Sequence, residues 1–338
     1  MKIVYFSREE WEEDYVKGKL FTDDITFFKG TMQDYPTYED KDAEILSVFV
    51  KSRIGKEELD RFPNLKFIAT RSTGFDHIDR DETEKRGIIV SNVPVYGANT
   101  VAEQAFALLL NLSRRIYESY DRVLKEGRFS PDGLRGFDLE GKTIGIVGTG
   151  NIGSHSIKMA NGFGMKVVAF DVNHNEDLAK ELGFKYVSFD ELLAGSDFIS
   201  LHAPYNKHTH HMINMENIEK IKTGAYLINT ARGGLVETRA LIVALEKGIL
   251  AGAGLDVLEE EGHMDDDAEL LVEEHPNPES LQTLLANQYL IDHPQVIITP
   301  HNAFNTKEAF ERIVDTTIEN IQAFEKCEPV NVVKGIKN

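Results

Sequence analysis

The chain has 338 residues, one cysteine, and 56 acidic against 37 basic side chains, a formal net charge of −19. The length suits two domains that each bury a core, and the charge argues against nucleic acid or an anionic membrane surface as a partner. The single thiol, Cys327, leaves no internal disulfide, and no apolar run reaches the ~20 residues of a membrane helix, so a cytoplasmic protein is expected. An anionic substrate would need a local cation to hold it.

Apolar runs at Lys2–Phe6, Ile25–Phe28, Glu44–Phe49, Lys66–Thr70 and Ile88–Val90 predict strands. The charged, amphipathic stretches around Arg8–Gly18, Lys56–Phe62 and Arg80–Arg86 predict helices between them. Strands alternating with helices imply parallel pairing in an open α/β sheet, with ligands at the carboxyl ends of the strands. That directs attention to the loops Arg71–Asp76 and Val93–Gly97. From Asn99 to about Tyr120, Val101, Ala105, Leu108, Leu109 and Leu112 recur at helical spacing and predict one long helix. The glycine-bearing, polar segment Gly127–Glu140 reads as a loop.

The stretch from Thr143 to Asp171 is the most informative. A short apolar strand runs into Gly148-x-Gly150-x-x-Gly153, a helical segment follows, Lys166–Phe170 returns as a second strand, and Asp171 stands at its end. Gly148 permits a tight turn, Gly150 removes a side chain that would keep a pyrophosphate from the backbone, and Gly153 lets helix and strand approach. The helix start then offers N–H groups and a positive dipole end to phosphates. Asp171 can accept both ribose hydroxyls of NAD and repels a 2′-phosphate. No Arg or Lys occurs from Val172 to Ala179 to welcome NADP. NAD is the expected cofactor.

Beyond Asp171, strands are expected at Phe198–Leu201, Ala225–Ile228, Gly252–Val257 and Val296–Ile298, with helices around Phe189–Ala194, Met215–Lys220 and Arg239–Lys247. A last amphipathic helix is expected over Thr306–Lys326, crossing back to the first domain. The expected architecture is two doubly wound α/β domains with a cleft between them. Residues 99–299 would form a Rossmann NAD-binding domain, and 1–98 with 300–338 a flavodoxin-like substrate domain. Arg232, Glu261 and His301 each follow a predicted strand, so a doubly wound sheet would range them along the edge where the glycine turn opens. An arginine can bind an oxoacid carboxylate in bidentate fashion. A histidine can donate and recover the carbonyl proton, and a carboxylate bonded to the imidazole favours its protonated form. Taken singly, the three also read as a loop arginine, a capped core histidine and one of a run of solvated acids.

GTGNIG, LINTARG, GLDVLEEE and ITPHNAF resemble the D-isomer-specific 2-hydroxyacid dehydrogenases, and TRSTGFDHID with VPVYGANTVAE is similar to their D-lactate dehydrogenase branch. The match covers essentially the whole chain, in the family's order. It implies a catalytic set of Arg232, Glu261 and His301. It also implies Asp256 at the nicotinamide carboxamide, Asn151 and Ile152 at the pyrophosphate, Ala203, Pro204 and Thr209 on the adenosine side, and Thr230 and Ala231 beside the nicotinamide. For the substrate it implies Ser72, Thr73 and Gly74 at the carboxylate, with Tyr96 and Phe304 walling a pocket that suits a methyl group. The 40-residue interval from Glu261 to His301 holds an acidic piece (Asp265–Asp267, Glu269, Glu273, Glu274) and the helix-like LQTLLANQYL, and leans toward the lactate branch. The expected reaction is reversible reduction of pyruvate to D-lactate by NADH, in a homodimer joined through the Asn99–Tyr120 helix. A reductase of bulkier 2-oxoacids, of the D-2-hydroxyisocaproate type, and an NAD-sensing corepressor-like protein are the alternatives. His208, His210 and His211 lack partners at ligand spacing, so no metal is expected.

Overall fold

The computed structural model describes residues 1–20, 24–259, 261 and 278–333, the backbone alone at 278–281. The acidic piece between Asp265 and Glu274 lies outside the described residues. Two compact units are present: Met1–Tyr96 with the described residues from Thr306 on, and Gly97–Asn305. Among the described residues no helix is long and apolar enough to cross a membrane.

The first unit is a five-stranded parallel sheet of β1 (Lys2–Ser7), β2 (Ile25–Lys29), β3 (Ala43–Val48), β4 (Phe67–Thr70) and β5 (Ile89–Ser91), in the order β2-β1-β3-β4-β5. Val4, Leu46, Ile68 and Val90 lie in register across four strands and share one buried cluster. The opposite face is apolar too, as a parallel sheet covered on both sides requires. There the helix Lys307–Glu325 buries Phe310, Ile313, Val314, Thr317, Ile318 and Ile321 at helical spacing, and Phe324 stacks on Phe67 with ring centroids 4.3 Å apart. Thr306 caps this helix by accepting the Ala309 N–H, and Cys327 is exposed just beyond its end.

Two opposite charges are fully buried here. Arg71, leaving β4, donates to the Glu12 carboxylate and the Phe6 carbonyl, and its guanidinium carbon lies 4.3 Å from the centre of the Tyr5 ring. Glu12 also accepts the N–H groups of Arg8 and Glu9 at 2.6 and 2.7 Å and the Tyr5 hydroxyl at 2.8 Å. Burial pushes that hydroxyl's pKa well above its ordinary value. The pair ties the helix Trp11–Lys19 to the end of β4, where the 72–74 loop begins.

The second unit is a seven-stranded parallel sheet: β6 (Thr143–Val147), β7 (Lys166–Phe170), β8 (Lys185–Tyr186), β9 (Phe198–Leu201), β10 (Ala225–Asn229), β11 (Leu250–Leu255) and β12 (Val296–Ile298), ordered β12-β11-β10-β9-β6-β7-β8. Separate apolar clusters fill its two faces. The helix Ala98–Arg114 lies on one of them, so close to β11 that a Cβ at Gly254 would stand 2.9 Å from that of Leu108.

Three local expectations are corrected. The helix expected over Asn99–Tyr120 stops at Arg114, because Arg115 turns left-handed (φ 51°, ψ 45°) and a second helix, Ile116–Glu126, begins. Met215–Lys220 forms only a 3-10 turn, Ile218–Lys220, since the Asn214 and Asn217 side chains take the backbone N–H groups of Glu216 and Asn214. The strand expected at Gly252–Val257 is Leu250–Leu255, which leaves Asp256 in the turn beyond it. The helix Glu176–Leu182, capped by Asn175, and the two-residue β8 carry too little apolar pattern to be foreseen.

Replacing Arg71 with methionine would leave the Glu12 carboxylate buried without its cation, which costs about 3–5 kcal/mol when one partner of such a pair is removed. Urea unfolding of Arg71→Met measures this; a loss below about 1 kcal/mol, the size of a solvated pair, would mean that the pair does not hold the unit together.

Candidate active site

The strand order of the second unit reverses between β6 and β9, where a doubly wound sheet binds its ligand. Gly148, at the end of β6, has φ 93°, and a Cβ there would lie 2.8 Å from the His202 carbonyl oxygen beyond β9. At Gly153 a Cβ would come within 1.9 Å of the Gly148 carbonyl oxygen. Gly150 differs: nothing lies within 4 Å of a Cβ placed there. The protein does not need that glycine for its own packing, whereas a phosphate lying on the turn does. In the helix Asn151–Gly162 that follows, Ser154 donates to the Gly150 carbonyl at 2.9 Å, and the N–H groups ahead of it belong to the unpaired first turn.

Asp171 ends β7. Its Oδ2 accepts the Thr149 N–H at 2.7 Å and the Thr149 hydroxyl at 3.0 Å, and its Oδ1 the Asn173 N–H at 2.9 Å. Burial alone would raise the carboxyl's pKa, but these donors outweigh it and hold it below the usual carboxylate range. The Thr149 hydroxyl is also bonded to that of Tyr186 at 2.9 Å. On the far side of the turn, Thr209 accepts the Asn206 N–H and donates to the Pro204 carbonyl, which fixes the loop that starts at Ala203. Burial pushes the His202 pKa down to about 4 and keeps the ring neutral, with Nε2 bonded to Ser200. The hydroxyl of Thr230, ahead of Ala231 in the turn after β10, is buried with no partner among the described residues. A cradle left open at Gly150, an ionised acid at the end of β7 and an unanswered hydroxyl after β10 fit a dinucleotide.

Arg232, Glu261 and His301 follow the adjacent strands β10, β11 and β12, along the same carboxyl edge. Arg232 is half-buried, with extended backbone (φ −146°, ψ 141°); its Nη1 donates to the Ala231 carbonyl, and Asn229 holds its own carbonyl. His301 takes the left-handed conformation (φ 49°), and its N–H donates to the Asp256 carbonyl at 2.8 Å. This turn brings Nδ1 onto Oε1 of Glu261, while Oε2 of Glu261 accepts the Leu258 N–H at 3.1 Å. Nε2 is thereby left as the imidazole's exchangeable position. Both side chains are about one-third exposed, and the Phe304 ring stands edge-on to His301 at 6.5 Å.

Asp256, placed by resemblance at the nicotinamide, is fully buried. It accepts the Thr299 hydroxyl and the N–H groups of Asn302 and Ala303, both at 2.8 Å, and so shapes the turn that carries His301. Burial dominates over these donors, and its pKa is raised.

In the first unit, the Ser72 hydroxyl donates to the Gly74 carbonyl at 2.6 Å and that of Thr73 to the Val93 carbonyl at 2.7 Å. Among the described residues nothing accepts from the N–H groups of Thr73 and Gly74. The Tyr96 carbonyl takes the Arg312 Nε–H. Sequence reasoning passed over Arg8 and Phe49, which leave β1 and β3 where this sheet's order reverses; only the strand order marks them. It also passed over the contacts of His210 and His211. Those rings stack with centroids 3.7 Å apart, His210 Nδ1 meets the Tyr205 hydroxyl, and His211 Nε2 lies 2.5 Å from Glu259.

The model of the D-isomer specific 2-hydroxyacid dehydrogenase NAD binding domain matches residues 106–303. The chain is 39% identical to a glyoxylate reductase of Thermococcus litoralis over 301 residues, 87% of this chain and 84% of that one. It is 34% identical to the D-lactate dehydrogenase of Escherichia coli over 333 residues, 97% and 98% of the two chains. The crystal structure of an Aquifex aeolicus D-lactate dehydrogenase complexed with NAD and lactic acid superposes with a TM-score of 0.85 at 40% identity, covering 97% of this chain and 96% of that one. The chain therefore belongs to the D-isomer-specific 2-hydroxyacid dehydrogenase family, an enzyme that takes NAD as its cofactor.

Proposed function

We propose that this enzyme reduces pyruvate to D-lactate, reversibly, with His301 as the acid and base and Arg232 as the anchor of the substrate carboxylate. The observation that carries the reading is the Glu261–His301 pair, on the sheet edge that also bears Arg232 and the glycine turn. The Arg232 fork suits a planar carboxylate, and it supplies the local cation that a chain of net charge −19 needs to hold an anion. We assign the N–H groups of Thr73 and Gly74 to the same carboxylate, because the hydroxyls of Ser72 and Thr73 are already engaged within their loop. NADH, when bound, supplies the reducing equivalent.

His301 Nε2 then gives its proton to the carbonyl oxygen as that oxygen gains charge, and recovers it in the oxidative direction. Glu261, on Nδ1, orients the ring and leaves Nε2 for the exchange. Thr230 and Asp171 are assigned to the two ends of the cofactor, Asn151 and Ile152 to its pyrophosphate. Tyr96 and Phe304 are assigned to the substrate side chain, where two aromatics favour a methyl group over a branched chain.

A homodimer is part of the same proposal. The helix Ile116–Glu126 buries none of its side chains, and Ile116, Tyr117, Tyr120, Val123 and Leu124 are 50–63% exposed, with Phe129 beyond them. So many contiguous apolar side chains mark a contact surface. A dimer is expected by analytical ultracentrifugation and a monomer for Tyr120→Glu/Leu124→Glu; a monomeric wild type would end this part of the proposal.

Arg232→Ala should raise the KM for the oxoacid and lower kcat. His301→Ala should abolish turnover while still binding NADH by fluorescence titration; undiminished turnover would remove His301 from its role. In a direct comparison, kcat/KM for pyruvate should exceed that for 2-oxoisocaproate and for glyoxylate. A larger value for either competitor would reassign the substrate, and failure of all three to consume NADH would favour a nucleotide-sensing role.

A further inference from the structure

The 2-oxoacid reading leaves a half-buried polar cluster of the second unit unused. Glu259 lies two residues before Glu261, and its side chain is 16% exposed. Its Oε1 is 2.5 Å from His211 Nε2, and its Oε2 accepts the N–H and hydroxyl of Thr238 at 2.8 and 2.5 Å. Thr238 opens the helix Thr238–Glu246, so the carboxylate also lies at the favourable end of that helix's dipole. The Glu259 carbonyl accepts from Asn287 at 2.8 Å.

His211 reaches two turns at once. It is left-handed (φ 49°); its N–H donates to the Gly234 carbonyl at 2.8 Å while its ring holds Glu259. Gly234 follows Arg232 by two residues. Gly233, between them, is pressed onto the backbone beyond β11: a Cβ there would fall 2.0–2.4 Å from atoms of Leu258 and Glu259. The turn that bears Arg232 and the turn that bears Glu261 are thus packed against each other and joined through Glu259 and His211.

We propose that Glu259 is a positioning residue, which with His211 and Thr238 clamps the turn presenting Glu261 to His301 against the turn carrying Arg232. The role of the clamp in turnover rests on the functional reading above, whereas its effect on the Glu261–His301 pair does not. An ordinary ion pair this close to solvent contributes little to stability. A pair that fixes a general acid contributes through geometry, where a displacement of about 1 Å costs on the order of 100-fold in rate.

The test is made on the full chain. The Nδ1–H resonance of His301 is assigned in histidine-labelled protein by its loss in Glu261→Gln. In Glu259→Ala that resonance should broaden or vanish, kcat for the oxoacid should fall at least about tenfold, and the KM for NADH should stay within twofold. Glu259→Gln, which keeps an acceptor for Thr238, should restore most of both signals. His211→Asn, which leaves the Thr238 contacts in place, should weaken them from the other side. An unchanged resonance, or an unchanged kcat in an active enzyme, overturns the clamp. If the wild type turns over no 2-oxoacid, the functional reading fails and the resonance alone decides the clamp.

Discussion

The proposed chemistry of the second unit depends on the contact between Glu261 and His301. An imidazole whose Nδ1 is held by a carboxylate keeps one nitrogen for proton exchange and loses the freedom to turn away. The chain builds this contact from residues 40 positions apart. His301 adopts a left-handed backbone, its N–H is tied to the Asp256 carbonyl, and the buried Asp256 side chain gathers Thr299, Asn302 and Ala303 around the same turn. A carboxylate with a raised pKa is a destabilising burial taken alone; three donors from one turn are what it holds in return.

The parallel sheet does the rest of the placement. With β10, β11 and β12 adjacent and parallel, whatever follows each strand emerges on one edge, so Arg232, Glu261 and His301 need no long loops to become neighbours in rank. The same edge receives the glycine turn after β6 and the acid after β7. In the proposed reading electrostatics divide along it: anionic Asp171 would meet hydroxyls, while helix N–H groups and a guanidinium would meet anions.

What could be read beforehand was what is local. Gly148 and Gly153 answer to contacts one strand or a few residues away, Gly150 is set by its spacing between them, and Asp171 announces itself by ending a strand. The apolar runs located most strands to within a residue or two. Long-range polar contacts stayed hidden. Nothing in the helix Trp11–Lys19, whose first turn holds three acids, says that one glutamate turns inward to meet an arginine 59 residues away. The Arg115 break was missed because the apolar pattern runs on past it, although the second helix keeps that pattern on an exposed face. Glu259 read as one of three equivalent acids; its partners, His211 and Thr238, come from a loop and a helix start that only the fold assembles. The order of the strands, which singles out the ends of β1 and β3 in the first unit, leaves no trace in any one segment.

This sheet edge is proposed as a working reductase site for the D-series. The most direct measurement is chiral analysis of the product formed when the purified enzyme consumes NADH in the presence of pyruvate. D-lactate equimolar with the NADH oxidised is the predicted result. L-lactate, or NADH consumption with no lactate formed, would contradict it.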